Sequence, residues 1–239
     1  MVHKDNINDR YVIDLNDVSF RWSPSAQPIL NIANLSITQA EHTFIKGPSG
    51  CGKSTLLSLL TGINVAQSGQ VKVLGTDLTT LSSRQRDRFR ADQIGYIFQQ
   101  FNLLPYLSVI ENVVLPCQFS SHRKQNVQGK LTDKAQELLE RLRLPSELLN
   151  KPVIELSIGQ QQRVAAARAL IGEPKLIIAD EPTSALDHDN RTAFIELLME
   201  QATQAQSTLL FVSHDPTLEP LFKRSIQLQD INTAGAIAC

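Results

Sequence analysis

The chain has 239 residues, 42% of them hydrophobic, which is enough apolar material for one large core. Its 23 basic and 24 acidic residues nearly cancel, leaving no overall field to draw in nucleic acid or an anionic membrane surface. No apolar run approaches the ~20 residues that span a bilayer, and the opening MVHKDNINDRYVIDL lacks a secretion signal, so a soluble, cytosolic chain is expected. Cys51, Cys117 and Cys239 form no CxxC pair and read as reduced thiols, with no zinc or redox dithiol implied.

In chain order, residues 11–20 and 30–38 are short β-branched apolar stretches separated by a turn-like 23–28, which predicts antiparallel strands in a small β lobe. Residues 43–46 read as a buried strand that runs into a glycine-rich loop, and residues 54–60 as an apolar helix. Strands are predicted at 71–75 and 94–98, with a charged, exposed helix at 82–91 between them. Between 102 and 155 the pattern turns helical, most clearly in the amphipathic LTDKAQELLERLRL at 131–144, which Pro145 ends. The last third alternates helix and strand at 160–170, 176–179, 189–204 and 209–213, which favours a mostly parallel α/β sheet.

The loop after the third strand carries GPSGCGKST, made of Gly47, Pro48, Ser49, Gly50, Cys51, Gly52, Lys53, Ser54 and Thr55. Such a loop turns backbone N–H groups onto phosphate oxygens, and the following helix adds its positive end. In this pattern Lys53 contacts the β- and γ-phosphates of ATP, Ser54 coordinates Mg2+, and Thr55 steadies the α-phosphate end. LIIADEP ends an apolar strand in two acids: Asp180 to hold magnesium through water, and Glu181 as general base towards the attacking water. A solvated acidic pair at a strand-to-helix turn is the plainer alternative.

LSIGQQQR at 156–163, just ahead of an alanine-rich helix, makes the resemblance specific. The chain resembles the ATP-hydrolysing subunits of ABC transporters, whose signature is usually LSGGQ; here Ile158 stands at the third position. The hydroxyl of Ser157 and the slimness of Gly159 survive at a helix N-terminus suited to a terminal phosphate, with Gln160 beside them, although a simple helix cap would use the same residues. Ile158 is expected to point away from the nucleotide.

The resemblance implies further parts in the right order. Gln99 matches the glutamine loop that touches magnesium and the attacking water, with Gln100 the alternative register. Asp187 in SALD matches the loop at the dimer interface, and a helix cap is its alternative. His214 in FVSHD matches the switch histidine on the γ-phosphate, and Trp22 the aromatic that stacks on adenine, with Phe20 as competitor. The fold implied is α/β, a P-loop NTPase with a RecA-like core, an antiparallel β lobe and an inserted α-helical lobe. One domain is expected, with the β lobe and nucleotide core over about 1–98 and 160–239 and the helical lobe over about 99–159.

A helical lobe ahead of the signature carries Ser157 and Gly159 away from the same chain's glycine loop, so they would serve another chain's ATP; the resemblance implies a second copy as partner, head to tail with two ATP molecules between. A transmembrane permease is the other, giving membrane association at the inner face only through that partner and no role for nucleic acid. FNLLPYLSVIENVVLP at 101–116 resembles the subfamily serving macrolide export, lipoprotein release and cell division. Transport is the first expectation, and mechanical signalling of the cell-division kind the alternative.

Overall fold

The computed structural model describes residues 10–183 and 188–234. These form two compact units, one of the described residues up to Arg90 together with those from Val212 on, the other Ala91–Phe211.

In the first unit, β1 (Tyr11–Phe20) pairs antiparallel with both β2 (Leu30–Thr38) and β4 (Ser68–Val73), and β5 (Thr76–Asp77) extends the sheet beyond β4. Along β1 Val12 is buried near the start, then Ile13 and Leu15, then Val18 and Phe20, so the inward phase slips by one beyond Leu15. Asp17 lies at that slip with φ 51, and the pairing to β4 shifts between Asn16 and Ser19. One extra residue in a left-handed conformation keeps both ends of the strand facing the core, which strict alternation could not do. β3 (Thr43–Lys46) runs parallel to β9 (Arg224–Gln227). The helix α1 (Lys53–Leu60) buries Thr55, Leu56, Leu57, Leu59 and Leu60, so it is a core helix and not a half-exposed one.

The second unit has β6 (Ile94–Ile97) parallel to β7 (Leu176–Asp180), with β8 (Thr208–Ser213) on the far side of β7. Four of the five residues of β7 are buried and only Asp180 is not. Beside them lie α3 (Val109–Phe119), α4 (Ser121–Asn126), α5 (Leu131–Arg141) and α6 (Ile158–Leu170). Ser108 and Glu111 close a reciprocal capping box on α3, which fixes where that helix starts. α5 ends before Pro145, and α7 (His188–Gln204) precedes β8. Among the described residues no helix is long and apolar enough to cross a membrane.

Two contacts set the spacing inside this unit. A β-carbon on Gly95 would lie 2.2 Å from the Ala169 carbonyl oxygen, so only glycine lets β6 come this close to α6. Arg123, 2% exposed, donates to the Ile94 carbonyl and, at 3.4 Å, to that of Ile171, joining the start of β6 to the residue that follows α6. Burial lowers its pKa to about 10, which still leaves it charged at neutral pH.

Replacing Gly95 by Ala sets a methyl against a backbone oxygen that cannot rotate away. A loss of about 2–3 kcal/mol is expected, read as a lower urea midpoint at unchanged slope.

Candidate phosphate loop and acidic strand end

The glycine loop leaves the buried β3 at Lys46 and enters α1 at Lys53. Gly50 has φ 82, and Gly52, the residue before the helix, has φ 103. A β-carbon on Gly52 would be strained at that angle and would also press to 2.9 Å from Leu30 Cδ2. Pro48, Ser49, Gly50 and Ser54 are exposed, Cys51 is half-buried, and Gly47, Gly52 and Thr55 are buried. Lys53 is only 8% exposed, and its ammonium donates to the carbonyls of Gly47 at 2.7 Å and Pro48 at 3.0 Å. The lysine is therefore curled over its own loop, its charge held at the mouth of the cradle.

The side chain of Asn232 fastens this loop from behind, donating to the Ile29 carbonyl at 2.9 Å and the Cys51 carbonyl at 3.4 Å. Nothing in the sequence singles Asn232 out. Trp22 is 61% exposed and stands edge-on to Phe20, ring centroids 5.1 Å apart, while Phe20 is 4% exposed. Phe20 is thus the anchor in the core, and Trp22 is the aromatic that a base can reach. His214 is exposed directly after β8, where Asp215 caps the following turn by accepting from the Thr217 amide at 3.0 Å.

The second unit supplies the acids. Asp180 ends β7, and the Tyr96 hydroxyl donates to its Oδ2 at 3.3 Å. Burial, and then the Asp180 charge, push the Tyr96 pKa above its ordinary value, so the phenol remains a donor. Glu181 has φ 46 and precedes Pro182, a rare backbone state for a residue that is neither glycine nor asparagine. The buried Gln162 of α6 donates to the Pro182 carbonyl at 2.8 Å and holds that turn.

Gln99 and Gln100 are both exposed in the turn that follows β6. Phe101 and Asn102, with φ 58 and 49, bend the chain there, and Arg168 of α6 donates to both their carbonyls, at 2.7 Å to that of Asn102. Burial brings the Arg168 pKa down to about 10. At the other end of α6, Ser157 accepts from the Gln160 amide at 3.3 Å, and Gln160 accepts from the Ser157 amide at 2.9 Å. The capping role is therefore real, and the Ser157 hydroxyl still has a proton to donate. Ile158 is 53% exposed and Gly159 half-buried. The expectation for Asp187 lies outside the described residues. Tyr96, Gln162, Arg168 and Asn232 are contributors to which sequence reasoning gave no role; Gln162 lies within the quoted LSIGQQQR but beyond the LSGGQ pattern, and the others lie outside the motifs.

The donors suit an anion and a hard cation. In the first unit the loop offers backbone N–H groups to phosphate and Ser54 a hydroxyl; in the second, Gln99 and Asp180 offer amide and carboxylate oxygens. Among the described residues no group of three or more His, Cys, Asp or Glu could hold a metal alone. That pattern fits Mg2+, which takes one or two carboxylates and completes its shell with phosphate oxygens and water.

Comparison with known proteins agrees. Residues 30–184 match the ABC transporter family. The lipoprotein-releasing system ATP-binding protein LolD of Saccharophagus degradans is 36% identical over 86% of this chain and 88% of its own length. The macrolide export ATP-binding/permease protein MacB of Marinobacter nauticus is 36% identical over 94% of this chain, which spans 34% of that longer protein. A dimeric structure of the ATP-binding cassette MJ0796 in a post-hydrolysis state, bound to ADP and Pi, superposes with a TM-score of 0.79 at 34% identity, covering 91% of this chain and 94% of that one. With its phosphate loop, acidic strand end and signature helix in family order, the chain belongs to the ABC transporter family, as one of its ATP-binding, ATP-hydrolysing cassettes.

Proposed function

We propose that this ATPase is the motor of a membrane transporter: two copies close head to tail over two ATP molecules and drive a separate transmembrane permease from the inner face of the membrane. The observation that carries the reading is the acidic strand end, where Glu181 is held in a left-handed conformation next to Asp180. A relative that joins ATP-binding and permease parts in one protein, and a dimeric structural neighbour, both support it.

In this mechanism the triphosphate lies along residues 47–55, and the Lys53 ammonium exchanges the Gly47 and Pro48 carbonyls for β- and γ-phosphate oxygens. Trp22 stacks on adenine. Ser54, Asp180 and Gln99 would hold Mg2+, which would supply charge neutralisation for the phosphates. Gln99 orients the attacking water and Glu181 takes its proton, while His214 contacts the γ-phosphate. Ser157, Gly159 and Gln160 of the second copy close over the terminal phosphate. Closure on binding and opening after hydrolysis give the permease its stroke.

Export of a lipid-linked or macrolide-like cargo is the reading favoured within this function, because the LolD and MacB relatives span nearly all of the chain. Cargo selectivity resides in the permease.

Three substitutions test the scheme. Glu181→Gln keeps ATP affinity, lowers turnover by more than about 100-fold and accumulates an ATP-bound dimer in size-exclusion chromatography; a monomer at saturating ATP would count heavily against the sandwich. Lys53→Ala weakens ATP binding by at least roughly 10-fold in calorimetry with the fold unchanged by circular dichroism. Ile158→Gly changes the ATPase rate by less than about fivefold, on the order of 1 kcal/mol in the barrier, because the side chain is exposed and its backbone is not in the left-handed region.

A further inference from the structure

We infer that the Tyr96 hydroxyl is a positioning group for the Asp180 carboxylate, setting its orientation so that the chain prefers Mg2+ with its nucleotide. The inference rests on the reading of Asp180 as the magnesium carboxylate. Tyr96 and Ile178 are register partners in the parallel pair of β6 and β7. Side chains two apart on a strand share a face, which places Asp180 one step beyond Ile178 on the face that Tyr96 occupies. The other face of β6 at this point is taken by α6, against which Gly95 is pressed.

The ring of Tyr96 is itself held. Phe98, its neighbour two residues on, lies with its ring centroid 4.3 Å away at an interplanar angle of 36°. The phenol is half-buried, and its single proton goes to Asp180 Oδ2 at 3.3 Å. At that length the bond is a weak one, and it biases rotation of the carboxylate about its last torsion. Metal-binding carboxylates are routinely oriented in this way by hydrogen bonds from residues that do not touch the metal. Orientation matters most for Mg2+, whose near-ideal octahedron would fix where its water ligands present their protons to Asp180, and less for Ca2+, which accepts irregular shells. Phenylalanine at this position would keep the ring packing and lose only the constraint.

The test is ATP binding by calorimetry on the full chain over a series of free Mg2+ concentrations, and again with Ca2+. Tyr96→Phe should bind ATP like the parent protein in EDTA. The free Mg2+ that gives half of the affinity gain should rise roughly 10-fold, with a smaller rise for Ca2+. Superimposable Mg2+ titrations would overturn the inference, even if the melting temperature falls, since a merely structural hydroxyl predicts that result. Asp180→Asn should remove the Mg2+-dependent gain, and adding Tyr96→Phe to it should change nothing more; a further loss in the double variant would also overturn the inference. If Asp180→Asn keeps the parent Mg2+ dependence, the magnesium reading of Asp180 fails. If Asp180→Asn loses it while Tyr96→Phe does not, only the role of Tyr96 falls.

Discussion

The functional segments of the second unit depend on one close approach, that of α6 to β6. Gly95 allows it, and the alanines at 165, 166, 167 and 169 keep the buried face of α6 slim enough to use it. A helix seated this close can reach neighbouring main chain with its polar side chains. Gln162 satisfies the Pro182 carbonyl, Arg163 that of Leu142, and Arg168 those of Phe101 and Asn102. Each of those carbonyls lies in a bend, where it has no ladder partner, so a donor from a rigid neighbour replaces what secondary structure would supply. The same helix begins with the Ser157 cap. A single rigid element thereby references the glutamine turn, the acidic turn and the signature residues to one another.

The first unit solves a different problem by a different means. A triphosphate carries too much charge for apolar burial and too much for a crowd of lysines, whose mutual repulsion would destabilise the empty protein. Backbone N–H groups provide partial positive charge without that repulsion. Only one full cation is built in, and its ammonium is satisfied by the Gly47 and Pro48 carbonyls. In the proposed mechanism, nucleotide binding would exchange hydrogen-bond acceptors for a lysine already in place, so little side-chain entropy would be lost.

Much of this was legible in the sequence because the motifs are local. Residues 47–55 must follow a strand and open a helix to work, and β3 and α1 flank them as expected. Antiparallel β1 and β2 and the end of α5 before Pro145 also follow from neighbouring residues alone. The parts that escaped are those whose cause lies far along the chain. β9 is too short to announce itself and is defined by pairing with β3. The roles of Tyr96, Arg123 and Asn232 depend on partners 84, 48 and 203 residues away. No periodicity encodes such pairs. The strain at Glu181 was equally invisible, since glutamate carries no local preference for a positive φ.

Ile158 shows how the two kinds of information combine. A glycine at that place in a motif suggests either a left-handed backbone or a close approach, and each would forbid a β-branched residue. The structure has neither: Ile158 has an ordinary φ, opens α6 and exposes its side chain. Gly159, the next residue, is half-buried. The departure therefore alters the surface around the helix N-terminus while leaving the capping geometry of Ser157 and Gln160 complete, and with it the donors that a terminal phosphate would meet.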